Sequence, residues 1–253
     1  MLLLLGGFFS TIQALEPEEV GAFHTKAFEE LGAKYASNRP KSRIDVMADM
    51  SNILSAFCHT EDAECESRIH AITLKGFHSA QSGSPIVEYP EDFEQELIEH
   101  LDAIHDTINL LQHDNLHDVV TTLTQLHDAI RNMENVNQSY KDIAVGASSI
   151  AIESTKLWHE TFTKPDHNLH SLIAEHHKET RKLQDVTNET VIVVNLGIIP
   201  RIISADILGA VNGTLNAFFE VPFFFLAPYL LPFMLLYYGT IASTASSFNT
   251  TTF

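Results

Sequence analysis

Apolar residues recur along most of this chain at intervals of three and four, the spacing that lays one stripe along a helix. Residues 17–37 and 42–57 carry the pattern on either side of the breaker Asn38-Arg39-Pro40, which predicts two short helices. A third is predicted over 64–77, closed by the linker Gln81-Ser82-Gly83-Ser84-Pro85. Ile86-Val87-Glu88-Tyr89 reads as a short extended piece with nothing nearby to pair with it.

Pro90-Glu91-Asp92 then suits a helix start, because proline tolerates the first helical position and acids there complement the helix dipole. Leu97, Leu101, Ile104, Ile108 and Leu111 follow at alternating spacings of four and three. After a slip of one residue the seam resumes at Val119, Leu123, Leu126, Ile130, Met133, Asn137 and Tyr140. A period near 3.5 is that of a helix lying along a partner, so one helix is predicted over 91–140, continuing through Ile143, Ile150 and Leu157 to Trp158. Lys164-Pro165-Asp166 stops it, and a further helix is expected over 167–190.

Beyond residue 190 the pattern changes. Only Arg201, Asp206 and Glu220 are charged, and the stretch from Leu215 to Ile241 is almost wholly apolar. That length is enough for a membrane span or, with Asn212-Gly213 as a turn, for a helical hairpin. The expected fold is therefore all-α: an elongated helical bundle or coiled-coil-like outer domain, followed by a C-terminal hydrophobic segment, transmembrane or hairpin. The organisation reads as 1–14 signal peptide, 15–85 short helices, 86–190 a long-helix acidic domain, 191–240 the hydrophobic segment and 241–253 a Ser/Thr-rich tail.

The first fourteen residues hold an apolar run, Leu2 to Leu5 with Phe8 and Phe9, and Ile12-Gln13-Ala14 offers a cleavage site. They predict entry into the secretory pathway. Cys58 and Cys65 are then expected to close one short disulfide, and Asn137 and Asn188, each opening an Asn-x-Ser/Thr sequon on the polar part, to be the glycosylation acceptors.

A net charge of −18 repels phosphate backbones, so nucleic acid is excluded as a partner, and contact with lipid has to come from the apolar segment 191–240. A helical protein partner, or self-association, is expected along the seam or acidic face of the long helix.

His113 and His117 stand one helical turn apart, and His167, His170, His176 and His177 cluster beyond them. Asp114 stands where the zincin pattern needs a glutamate, so these histidines are read as a solvated face, and no metal or cofactor is assigned. No phosphate loop, nucleophile elbow or Cys–His pair is present. The expectation is a non-enzymatic, membrane-associated protein with a partner-binding or structural role; the alternative is a secreted membrane-inserting protein whose bundle shields the hairpin until a trigger such as low pH.

Between Lys75 and Arg131 there are eleven Asp and Glu, six His and no Lys or Arg. Crowded acids should have raised pKa values and raise those of histidines among them, making the bundle tighten as pH falls from 7 to 5, whereas buried histidines would act oppositely.

Overall fold

The computed structural model describes residues 15–36, 42–56, 87–112, 114–164, 166–170, 173, 198–220 and 231–247. The candidate signal peptide, Cys58, Cys65, Asn188, His113, His176, His177 and the Ser/Thr-rich end from 248 on lie outside them, as do the helix expected over 64–77 and most of the one over 167–190.

Among the described residues every regular element is helical. A 3-10 turn at Pro17–Glu19 leads into α1 (Val20–Tyr35), and α2 (Arg43–Ser55) follows the expected breaker. Ser42 caps α2, its Oγ accepting from the Asp45 N–H at 3.2 Å. The two helices are latched by Lys34 Nζ on Asp49 Oδ1 at 2.6 Å and by the Tyr35 hydroxyl donating to the other oxygen of Asp49.

The single long helix expected over 91–158 is three helices: α3 (Gln95–Asn109), α4 (Leu116–Arg131) and α5 (Gln138–Thr163). Pro90 to Phe93 form a turn, with the Phe93 N–H donating to Pro90 O, and α3 starts only after Glu94. The slip in the heptad marks the first reversal. There Asn115 ties the connection, donating from Nδ2 to Leu110 O at 2.8 Å and accepting the Gln112 N–H at 2.7 Å. The second reversal uses Asn135 in the left-handed region at φ 62°, which asparagine tolerates better than most residues. Asn137 then caps α5, its Oδ1 accepting from Ser139 and Tyr140 N–H. The cap leaves Asn137 exposed, so its sequon is open to solvent.

The seam predicted from the sequence is real, but its partner lies within the chain. Leu97, Leu101, Ile104 and Ile108 of α3 and Val119, Leu123 and Ile130 of α4 are buried, with α3 and α4 packed on each other and on α5.

The last two helices, α6 (Ile198–Glu220) and α7 (Leu231–Ser247), form a closely packed hairpin. Asn212-Gly213 is no turn: it lies inside α6. Glycine is needed there for space, since a Cβ on Gly213 would stand 2.2 Å from the Tyr238 ring. Among the described residues no helix is long and apolar enough to cross a membrane, α6 being interrupted by Arg201 and Asp206, so the transmembrane expectation fails on these elements. The hairpin is instead absorbed into the bundle. α7 packs on α1, α2, α5 and α6, and none of its residues is exposed.

α5 is the axis. It touches α1, α3, α4, α6 and α7, and every residue from Ile143 to Ala151 is buried. The run Ala144, Gly146, Ala147, Ser148, Ser149 and Ala151 keeps it thin enough to be surrounded. One core cluster joins side chains of all seven helices.

α1 lies tightly on α5: the Gly21 N–H donates to Ser149 Oγ at 3.1 Å, and a Cβ on Gly21 would stand 2.2 Å from Ser149 O. Both atoms of that clash are backbone-anchored, so the helices must separate to accept it. Gly21→Ala is expected to lower stability by about 1–3 kcal/mol despite alanine's better helix propensity. Urea unfolding followed by circular dichroism measures it, and an unchanged or higher midpoint would contradict this packing.

Candidate functional site

Where α1, α5, α6 and α7 meet, the core contains a set of polar side chains. Asp206 of α6 is 0% exposed, as are His24 of α1, Ser154 of α5 and Ser243 of α7. Ser154 Oγ donates to Asp206 Oδ2 at 2.6 Å, and Trp158 Nε1 donates to the same oxygen at 3.2 Å. Ser243 faces the carboxyl without reaching hydrogen-bond geometry, and Oδ1 has no partner. His24 completes the group, with Nδ1 3.4 Å from Ser154 Oγ and Nε2 3.8 Å from Asp206 Oδ2.

Local sequence explains why each group is held still. Ser154 and Trp158 are four apart on α5, one above the other on a single face, so both reach one carboxylate oxygen. Trp158 is fixed in turn by an edge-on contact with Phe28 at 5.0 Å between centroids, and Phe28 packs on His24 at 5.1 Å.

Burial dominates the electrostatics. It pushes Asp206 from 3.8 up to about 8, an effect that the Ser154 and Trp158 donors and the nearby Ser243 hydroxyl only partly offset. It pulls His24 from 6.5 down to about 3. At neutral pH the site is a protonated carboxyl beside a neutral imidazole. Because Ser154 and Trp158 both donate to Oδ2, the free Oδ1 is where the proton belongs.

Serine, histidine and aspartate together suggest a hydrolytic triad, but the wiring is wrong for one. A triad places the imidazole between hydroxyl and carboxylate so that it removes the hydroxyl proton. Here Ser154 gives its hydrogen bond directly to Asp206, and no atom of the set meets solvent. The arrangement builds a shielded proton site, with no nucleophile a substrate could reach.

Two other histidines bridge outer and inner helices through hydroxyls. His105 Nδ1 of α3 lies 3.3 Å from Ser204 Oγ of α6, and His127 Nδ1 of α4 lies 2.8 Å from Ser148 Oγ of α5. His127 is held below its ordinary pKa because desolvation outweighs the upward pull of Asp128 and Glu18. His167, half-buried beyond α5, is lowered for the same reason. The upward shift expected for histidines between Lys75 and Arg131 is therefore reversed at His127.

Among the described residues no three His, Cys, Asp or Glu side chains stand close enough to hold a metal ion. His117 is on the exposed face of α4. His167 and His170 turn back onto the end of α5, His170 Nδ1 donating to Thr161 O at 2.8 Å. The chain matches no family model, no curated protein and no solved structure.

Of the residues at the buried junction, the sequence marks only Asp206, as an acid inside an apolar stretch, which is a site signal in its own right. His24, Ser154 and Trp158 carry no such mark.

The junction predicts a mutational contrast. Asp206→Ala leaves the Ser154 hydroxyl and the Trp158 N–H without an acceptor and opens a void, for a loss of about 3 kcal/mol at pH 5.5. Asp206→Asn keeps an acceptor oxygen and the shape, and should lose less than half as much. Equal losses by denaturant unfolding would show that the hydrogen bonds at Oδ2 do not matter.

Proposed function

We propose that this chain is a non-enzymatic protein of the secretory pathway whose acidic bundle stores an apolar helical hairpin, α6–α7, and that the hairpin is its membrane-binding element. One observation carries the reading. α7 carries no charged residue, and thirteen of its seventeen residues, its stripe of hydroxyls at Thr240, Ser243, Thr244 and Ser247 included, are buried by other helices of the same chain. An uncharged helix this apolar rests either inside protein or in lipid, and α7 has the first environment in the folded chain. The second becomes available whenever α1, α2 and α5 draw back.

The charge of the outer helices favours the same division of labour. A surface at −18 overall gains nothing from anionic headgroups, so the closed protein has no electrostatic reason to bind lipid and the hairpin supplies the only strong attraction. Shielded hairpins in other helical membrane-inserting proteins act in this general way; that is an analogy of architecture alone. Entry into the secretory pathway rests on the apolar residues 1–14, and the Cys58–Cys65 disulfide and the glycans at Asn137 and Asn188 belong to the same reading.

A second reading keeps the partner-binding role, on the outside of the bundle. The seam of α3 and α4 is consumed internally, which leaves their acidic outer faces for a basic helical partner.

Vesicle flotation tests the first reading. Purified full-length protein should stay soluble without detergent and ignore zwitterionic vesicles while closed. It should float with them, and release an entrapped dye, once the bundle is loosened by mild heating or sub-denaturing urea. Absence of flotation and leakage under every loosening condition, with the hairpin shown to be exposed, would remove the membrane role and leave the acidic outer face as the functional surface.

A further inference from the structure

Trigger and site meet at Asp206, a fully buried carboxyl that touches both the hairpin and its cover. The carboxyl projects from α6 and receives donors from α5, faces Ser243 of α7, and lies 3.8 Å from the imidazole of α1. Among the described residues no other charged side chain bears on it. On α3, the remaining helix packed against α6, His105 meets Ser204, which two residues of helical rotation place on the opposite side. Arg201 of α6 itself is exposed. Freeing the hairpin must therefore bring water to this carboxyl and imidazole, and must change what each prefers to hold.

We propose that the His24–Asp206 pair is a proton lock on the hairpin: the bundle closes with one proton held by a carboxyl that water does not reach, and it opens with loss of that proton as pH rises, not with gain of one as pH falls. This rests on the reading of α6–α7 as the stored element and names its trigger.

The sign follows from proton counting. Closed, the pair holds one proton, on Asp206. Opened and hydrated, Asp206 returns toward 3.8 and His24 toward 6.5. Between about pH 4 and 6.5 the opened pair also holds one proton, now on the imidazole, so opening is neutral to pH. An internal ion pair would hold the same single proton and change nothing. Above 6.5 the opened pair holds none while the closed pair keeps its proton until about 8, so opening releases a proton and is favoured by rising pH. Acid opens the pair only below about 4, where the opened form holds two protons.

The test is amide hydrogen exchange read by mass spectrometry on the full chain, following fragments within 198–247 at pH 5, 6, 7, 8 and 8.5 and correcting for intrinsic exchange. The opening equilibrium of the hairpin is expected to be level from pH 5 to 6 and to rise on the order of tenfold by pH 8.5. In Asp206→Asn that rise should vanish. Ser243→Ala, a smaller change that removes a group favouring the ionised carboxyl, should leave the onset of the rise in place and extend it to higher pH. A hairpin whose protection is independent of pH in the native chain, or rises identically in Asp206→Asn, overturns the lock.

Zwitterionic vesicles added at each pH separate the two claims. A proton-linked opening without vesicle binding keeps the lock and refutes the membrane role. Vesicle binding with no proton-linked opening does the reverse.

Discussion

A helix with no polar side cannot lie on a protein's surface without exposing a broad apolar strip to water. α7 comes close to that limit, carrying no charge and only a stripe of hydroxyls at Thr240, Ser243, Thr244 and Ser247, and most of the architecture answers to it. α6 covers one side by close approach, its glycines admitting Tyr238 and Ala242. α5 covers another, and its alanines, glycine and serines let it be surrounded in turn by α1, α3 and α4. The amphipathic helices then supply the wet exterior that α5, α6 and α7 lack. Some hydroxyls inside this interior are tolerated because they bond to the preceding turn of their own helix, as Thr244 does to Thr240 O and Ser247 to Ser243 O, each at 2.7 Å. A carboxyl has no such local escape. Asp206 is the position where an apolar solution to the burial of α7 is interrupted by chemistry.

Helical character, the helix ends on either side of 38–40 and 164–166, and most of the buried seam were legible in the sequence, although Asn137, read as part of that seam, is exposed. The reversals between α3, α4 and α5 were not, and the reason is geometric. When a helix turns back along the same core, its apolar stripe goes on facing that core, so the periodicity survives each change of direction with only a slip of phase. Asparagine was the better signal: Asn115 ties one turn through its side chain, and Asn135 and Asn137 supply a left-handed residue and a cap at the other. At Asn212-Gly213 the same kind of signal misled, because glycine also serves where a neighbouring ring leaves no room for a Cβ. The residues that meet Asp206 lay out of reach for another reason: Ser154 is 52 positions away from it, and His24 is 130 from Ser154, so only the packing of α1, α5 and α6 brings them together.

The histidines show which electrostatic effect wins. Eleven acids in a stretch without a base suggest a field that would hold protons on nearby imidazoles. That field acts through water, which screens it, whereas an imidazole wedged between helices loses its hydration outright. At His127 the pull of Asp128 and Glu18 is present and still loses to burial. At His24, where burial is complete, no counter-term bears on the ring. Sequence composition reports the field; burial is a property of packing, and it sets the sign.

The same contrast separates the two ways acidity could act on this bundle. His127 and His167, both lowered by burial, bind protons more readily once exposed, so each loses stabilising effect as pH falls below 6.5 toward its lowered value. They sit on α4 and just beyond α5, at the periphery, and their protonation loosens helices that do not cover α7. Asp206 sits under the helices that do cover it, and its effect is lost in the other direction, as pH climbs through about 8. Acid therefore works on the outer helices and alkalinity on the hairpin seat. With His24 taking up in the open state the proton that Asp206 gives away, the hairpin seat is indifferent to pH between about 4 and 6.5, and its hold on α6–α7 there depends on packing alone.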